Sequence, residues 1–188
     1  MELKQRIPQY GVNTLKDTPL WNIIQEQINN TKLEWKDGGI LDGELDFNTR
    51  VSNICWIENE LLDTMLWDMV SSYNFFNWDF NIEDMEPCQY GVYSKGGYYD
   101  WHLDSDDTWK KLIRKISITI FLNDPDEYEG GELDIEIKGP KEKIRYDTFK
   151  LHKGSIVIFP SDKWHRVRPV TSGVRKSLVT WFRGPPFK

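Results

Sequence analysis

His102 and Asp104 stand two positions apart, and His165 follows sixty-one residues after that carboxylate. Two imidazoles and one carboxylate occupy half the corners of an octahedron and leave the rest open, the donor set associated with ferrous sites that activate oxygen. Along an extended chain, side chains at i and i+2 point to the same face. His102 and Asp104 can therefore reach one ion together while Leu103 turns into the core, with His165 closing the set from another strand end. Mixed nitrogen and oxygen ligation also suits zinc, manganese or cobalt, so ligand type alone does not select the metal. A lone His-x-Asp arises by chance in most chains, and three surface polar groups are the plain alternative. His152 precedes Gly154, has no acidic neighbour at ligand spacing, and reads as structural.

Ten positions after His165 comes Arg175, and Ser177 is two further on, again i and i+2 on an expected strand. A guanidinium grips a carboxylate through a planar fork, and a hydroxyl adds another hydrogen bond. Buried among apolar strands, that pair needs an anionic guest or an acidic partner to offset its desolvation. Any of the 30 Asp and Glu residues could be that partner.

The elements that must position these groups are legible in outline. Thr18–Asn30 reads as a short amphipathic helix, with Leu20, Ile23, Ile24 and Ile28 on one side. In a second helix Leu61, Met65, Met69 and Tyr73 form one row and Leu62, Leu66 and Val70 the adjacent one, with Glu58 and Glu60 at its acidic start. Beyond about residue 80 the pattern turns strand-like. Lys115–Leu122, Glu132–Ile137, Gly154–Phe159 and Ser177–Phe182 are short runs bounded by turn formers, and Ser117 and Thr119 alternate with isoleucines. Short strands after two helices imply a β-sandwich or barrel with helices packed on one sheet.

At 188 residues the chain fits one domain, long enough to bury roughly 70% of its unfolded surface. The net charge of −6 disfavours a phosphate-tracking surface and so nucleic acid as a partner, although Lys110, Lys111, Arg114 and Lys115 cluster locally. Cys55 and Cys88 form no Cys-x-x-Cys and no disulfide framework, which suits reduced thiols. Met1–Pro8 lacks the apolar stretch of a signal peptide, and no run of eighteen apolar residues occurs. These features lead to the expectation of a soluble, cytoplasmic protein without a membrane partner.

The segments Tyr93-x-x-Gly96-x-x-Tyr99-x-x-His102-x-Asp104, Ile116–Leu133 and His165-x-Val-x-Pro-Val-Thr-x-Gly-x-Arg175 follow one another in an order and spacing that resembles a known family. It is the Fe(II)- and 2-oxoglutarate-dependent oxygenases of the prolyl 4-hydroxylase type, including the bacterial branch linked to iron uptake. The resemblance covers about the C-terminal hundred residues. It implies a mainly β (α+β) fold, a double-stranded β-helix or jelly roll with N-terminal helices packed on one sheet. Residues 1–188 would form one oxygenase domain, with 1–80 a helical lead-in and 81–188 the jelly-roll core. By resemblance His102, Asp104 and His165 are the catalytic iron ligands. Tyr93, Arg175 and Ser177 bind 2-oxoglutarate, and Tyr99, Arg114 and Trp181 contact the target proline.

The resemblance further implies Fe(II), 2-oxoglutarate and O2 as requirements, with ascorbate dependence as an accessory. The expected activity is hydroxylation of a prolyl residue in a peptide or protein, with release of succinate and CO2. Asp104 leaves no vacant halide position, which argues against the halogenating branch. Alternatives are the same chemistry on a small molecule or another side chain, a non-catalytic metal-binding barrel, and nucleic-acid demethylation, which the acidic charge disfavours. A short loop between Asp104 and Ile116 would leave the mouth open to varied guests.

Overall fold

The computed structural model of the chain describes residues 8–30, 32–38, 46–105, 111–139 and 141–187. Residues 1–7 of the segment read for a leader, Lys110, and much of the loop between Asp104 and Ile116 lie outside these. Strands are labelled in chain order. An eight-stranded antiparallel sheet runs, side by side, through β1 (Gly11–Thr14), β12 (Ser155–Pro160), β8 (Ile113–Phe121), β15 (Arg175–Gly184), β6 (Cys88–Tyr93), β4 (Asn53–Ile57) and β2 (Lys36–Asp37). Strand β5 (Asp84–Met85) pairs with the far end of β15. The facing sheet has five strands: β11 (Tyr146–Phe149), β10 (Leu133–Glu136), β13 (His165–Val167), β7 (Tyr98–His102) and β3 (Arg50–Val51). A separate antiparallel pair joins two strands remote in sequence, β9 (Tyr128–Gly130) and β14 (Val170–Gly173). Two antiparallel sheets face to face make a jelly roll.

The strands form where the sequence supplies β-branched residues. In β8 every residue except Arg114 is buried, because one face meets the helices and the other lines the space between the sheets. Helices α1 (Pro19–Asn30) and α2 (Glu60–Asn77) cover the outer face of the larger sheet. Thr18 caps the first, its hydroxyl accepting from Trp21 N at 3.2 Å. Asn59 caps the second, accepting from Leu62 N at 2.9 Å, and Glu60 and Asp63 complement the dipole in its first turn. The buried row of α2 is Leu62, Leu66, Val70 and Asn74. In the adjacent row Met65, Met69 and Tyr73 are partly buried and pack against the same core, while Leu61 is largely exposed. Burying each aliphatic side chain in the fully buried row stabilises by roughly 1.5–3 kcal/mol, which fixes the helix to the sheet.

The first eighty residues are more than a helical lead-in, because β1 to β4 enter both sheets. The expected strands are present with shifted ends: β15 begins at Arg175 and extends to Gly184. Cys55 and Cys88 are buried, unpaired thiols. Among the described residues, Arg114 and Lys115 of the basic cluster do not share a surface patch. Lys115 is buried beneath Phe187 at 3.2 Å from its ring, and Arg114 is paired with Glu86. Among the described residues, no helix is long and apolar enough to cross a membrane.

Candidate active site

His102 ends β7 and His165 begins β13, and the two residues stand directly opposite each other across the sheet. Their rings lie 4.1 Å apart, centroid to centroid. Asp104 lies two residues past the end of β7, so it reaches in from the turn rather than from the strand. Leu103 is half-buried there instead of joining the core. Asp104 Oδ2 is 3.3 Å from His165 Nε2, and Oδ1 is 3.8 Å from His102 Nε2. One donor atom from each residue falls within 4.8 Å of the others, a spacing that could hold a metal ion. Both imidazoles are oriented from behind. Nδ1 of His102 donates to the Asp100 carbonyl at 2.7 Å, and Nδ1 of His165 donates to the Lys163 carbonyl at 2.9 Å. Each Nε2 is thereby the nitrogen left to ligate.

The carboxylate is also anchored. Ser117 Oγ donates to Asp104 Oδ2 at 2.7 Å and lies 2.8 Å from Ser161 Oγ, and the Ser161 carbonyl accepts from Asp104 N at 3.2 Å. Electrostatics make His102 and Asp104 ready for a cation, whereas His165 holds its proton more tightly and must release it before Nε2 can ligate. Burial, reinforced by His165, lowers the His102 pKa to about 3, so that ring is neutral. Burial opposes charge on Asp104, yet the two imidazoles outweigh it and hold the carboxyl well below its usual range. Burial likewise opposes charge on His165, but the neighbouring Asp104 prevails and raises its pKa. Tyr99 stacks on His102 at 3.5 Å and 9°, with the Arg50 guanidinium 4.7 Å above the same tyrosine ring.

The second group of residues lines the same cleft between the sheets. Arg175 and Ser177 share a face of β15, as their spacing predicts, and Tyr93 sits beside Arg175 across the ladder to β6. Arg175 is 1% exposed. Its Nη1 donates to Ser177 Oγ at 2.9 Å, while Nε and Nη2 have no hydrogen-bond partner. The rings of Tyr93 and Phe121 flank it at 5.3 and 5.6 Å. Among the described residues no carboxylate pairs with it, which removes the plain alternative of an internal ion pair. Burial pushes its pKa down, the mark of a charge lacking compensation.

Trp181 and Tyr99 also line the cleft. Both faces of Tyr99 are occupied, by His102 and by Arg50, so the flat aromatic contact expected of it is not available in this arrangement. Arg114 does not line the cleft floor. It lies 3.8 Å above the Trp181 ring, and its Nε and Nη2 donate to Glu86 at 2.7 and 2.6 Å. His152 is on the surface, its side chain 85% exposed and 3.2 Å from Asp124.

Two residues that build the site, Arg50 and Ser117, carry little signal in the sequence. Arg50 crosses from β3 to the opposite sheet, donating to Gln89 Oε1 at 2.8 Å and to Ser52 Oγ at 2.8 Å. Nothing local in the sequence marks that bridge. Ser117 is visible there only as one of two hydroxyls on the polar face of β8. The donor set, the carbonyl-oriented imidazoles and the uncompensated guanidinium together fit a divalent cation with a small carboxylate beside it.

Residues 88–183 match the sequence profile of the 2OG-Fe(II) oxygenase superfamily. A PKHD-type hydroxylase of Stenotrophomonas maltophilia is 31% identical over 156 residues, covering 79% of this chain and 67% of that protein. Another, of Colwellia psychrerythraea, is 31% identical over 179 residues, covering 94% of this chain and 69% of that protein. The chain thus spans about two thirds of the length of these relatives. Among solved structures, a Pseudomonas putida prolyl-4-hydroxylase superposes with a TM-score of 0.68 at 20% identity, covering 95% and 94% of the two chains. A prolyl hydroxylase of Trichoplax adhaerens, solved with a hypoxia inducible factor peptide fragment, gives 0.69 at 16% identity, covering 93% and 83%. At those identities the shared property is the jelly-roll fold. With half the chain inside the profile and relatives above 30% identity, this chain belongs to the 2OG-Fe(II) oxygenase superfamily.

Proposed function

We propose that the protein hydroxylates a prolyl residue in a peptide or protein, using Fe(II), 2-oxoglutarate and O2 and releasing succinate and CO2. The observation that carries this reading is a fully buried Arg175 without an acidic partner, in the same cleft as a His–Asp–His donor set. When bound, iron would let O2 act as the oxidant, with 2-oxoglutarate giving up two electrons as it is decarboxylated to succinate and CO2. The chain's own residues do the rest. His102, Asp104 and His165 hold the cation, and Ser117 keeps the carboxylate of Asp104 from rolling. Arg175 and Ser177 receive the distal carboxylate of 2-oxoglutarate, and Tyr93 borders that end. Trp181 presents the aromatic wall for the substrate ring, stiffened by Arg114 and Glu86. The peptide substrate is suggested by the relatives' names and by the peptide held by the Trichoplax enzyme.

A second reading keeps the chemistry and replaces the peptide with a small polar molecule. It is favoured by the polar wall that Arg50 and Gln89 give the cleft. One experiment separates the two. Succinate release is measured with Fe(II) and 2-oxoglutarate against proline-containing peptides and against free amino acids. Turnover of peptides with a mass gain of one oxygen supports the first reading. Turnover of free amino acids alone replaces it with the second, and iron binding without succinate under either condition sinks both.

A further inference from the structure

We propose that Tyr128 is a positioning residue for Arg175, a neutral phenol that holds the guanidinium from behind and leaves its charge for a guest carboxylate. The inference rests on the cosubstrate reading above and adds to it the residue that keeps the anion clamp uncompensated. Tyr128 is 3% exposed, and its hydroxyl lies close enough to the Arg175 guanidinium to act on its charge, although no well-formed hydrogen bond joins them. Arg175 leaves Nε and Nη2 likewise without a well-formed hydrogen bond. Buried polar groups without partners cost roughly 1–3 kcal/mol each, and folds rarely keep several side by side. Here they are side by side.

Gly131 shows how close they are. A Cβ at that position would fall 3.0 Å from Arg175 Cδ and 3.2 Å from Tyr128 Cε2, so both side chains pack against one glycine. Its φ of +66° is in the left-handed region that glycine adopts without strain, and this lets the turn after β9 close down on the arginine. From the other side, Lys150 Nζ donates to the Tyr128 carbonyl at 2.8 Å and lies 4.7 Å from the ring, which fixes the tyrosine in place. An Asp or Glu in this position would neutralise Arg175, and a Phe would leave it unsupported. A phenol accepts one N–H without contributing opposite charge, and the remaining donors are kept for the guest.

The test compares two keto acids on Mn(II)-loaded protein by calorimetry, with no turnover involved. 2-Oxoglutarate carries the distal carboxylate and 2-oxobutanoate lacks it. Tyr128→Phe is expected to weaken 2-oxoglutarate binding about 5- to 20-fold and to leave 2-oxobutanoate and Mn(II) affinities within twofold. Gly131→Ala, whose added methyl presses on the same guanidinium, is expected to give the same selective loss, and it supplies the decisive comparison should Tyr128→Phe fold poorly. Equal weakening of both keto acids, or no weakening of either, overturns the assignment while the cosubstrate reading stands. Wild-type protein that does not distinguish the two acids overturns the cosubstrate reading itself, and this inference with it.

Discussion

Two buried charges sit in different sheets of the jelly roll, and their surroundings differ completely. Asp134, on β10, is fully buried. It accepts from Arg166 Nε at 2.7 Å, from Arg168 at 2.8 and 3.0 Å, and from Thr148 at 2.7 Å. Burial alone would raise its pKa, but those donors win and lower it. Around it, guanidiniums and rings alternate: Arg166 lies 4.7 Å from the Trp101 ring and 5.6 Å from that of Tyr146. Arg175, on β15, is just as deep and has neutral company: the Ser177 hydroxyl, the Tyr128 phenol and the rings of Tyr93 and Phe121. A buried charge completed by its own chain ties strands together. One left incomplete beside a cavity is a binding group, because only a ligand can offset its desolvation.

The sharpest way to break that comparison is to remove each charge. Arg175→Met is expected to lower 2-oxoglutarate affinity on the order of 100-fold, since a bidentate charge-assisted contact is lost. The same variant is expected to raise the stability of the ligand-free protein by about 1 kcal/mol, measured by denaturant unfolding. Asp134→Ala should move stability the other way, by about 2 kcal/mol. That is less than the 3–5 kcal/mol for a sealed pair, because Arg166 and Arg168 remain 28% and 34% exposed and reach water. Two changes of the same sign would erase the distinction.

Asp104 stands between these extremes, completed in part by imidazoles and by Ser117. Ser117→Ala is expected to weaken metal binding about tenfold, the low end of the effect of an outer-shell partner, as read by competition with a chelating dye. The smallest effect concerns acid. Because the folded-state pKa of Asp134 is depressed, its contribution is complete above the unfolded value of about 3.9 and is lost as pH falls through the lower, folded value. The stability gap between wild type and Asp134→Asn should hold steady from pH 7 to 5 and narrow below about pH 4. A gap that does not depend on pH would mean that Asp134 is not the charged centre of its cluster.

Alternation makes much of this site legible in the sequence. His102 and Asp104, and Arg175 and Ser177, are pairs at i and i+2, and strand geometry alone puts each pair on one side. The helices are legible through their apolar rows, although which row of α2 faces the sheet depends on the sheet's own relief. What stays hidden is set by contacts between remote strands. Arg50 meets Gln89 across 39 residues, and Asp134 meets Arg168 across 34. Arg114 and Lys115 look like part of one basic patch, yet alternation and Glu86 send them to different environments. Tyr128 and Gly131 look like turn residues before a strand. Their importance depends on Arg175, more than forty positions later, which packs against the same glycine.

The cleft holds one buried carboxylate, Asp104, and two buried guanidiniums, Arg175 and Arg50, and this has a thermodynamic result. A divalent ion alone adds two positive charges to that surplus, and a dicarboxylate alone subtracts two and overturns it. Together the two guests offset each other. Each guest must then tighten the other, and by reciprocity the factor is the same in both directions. Loading of this cleft is therefore cooperative by charge balance, without requiring any strand to move.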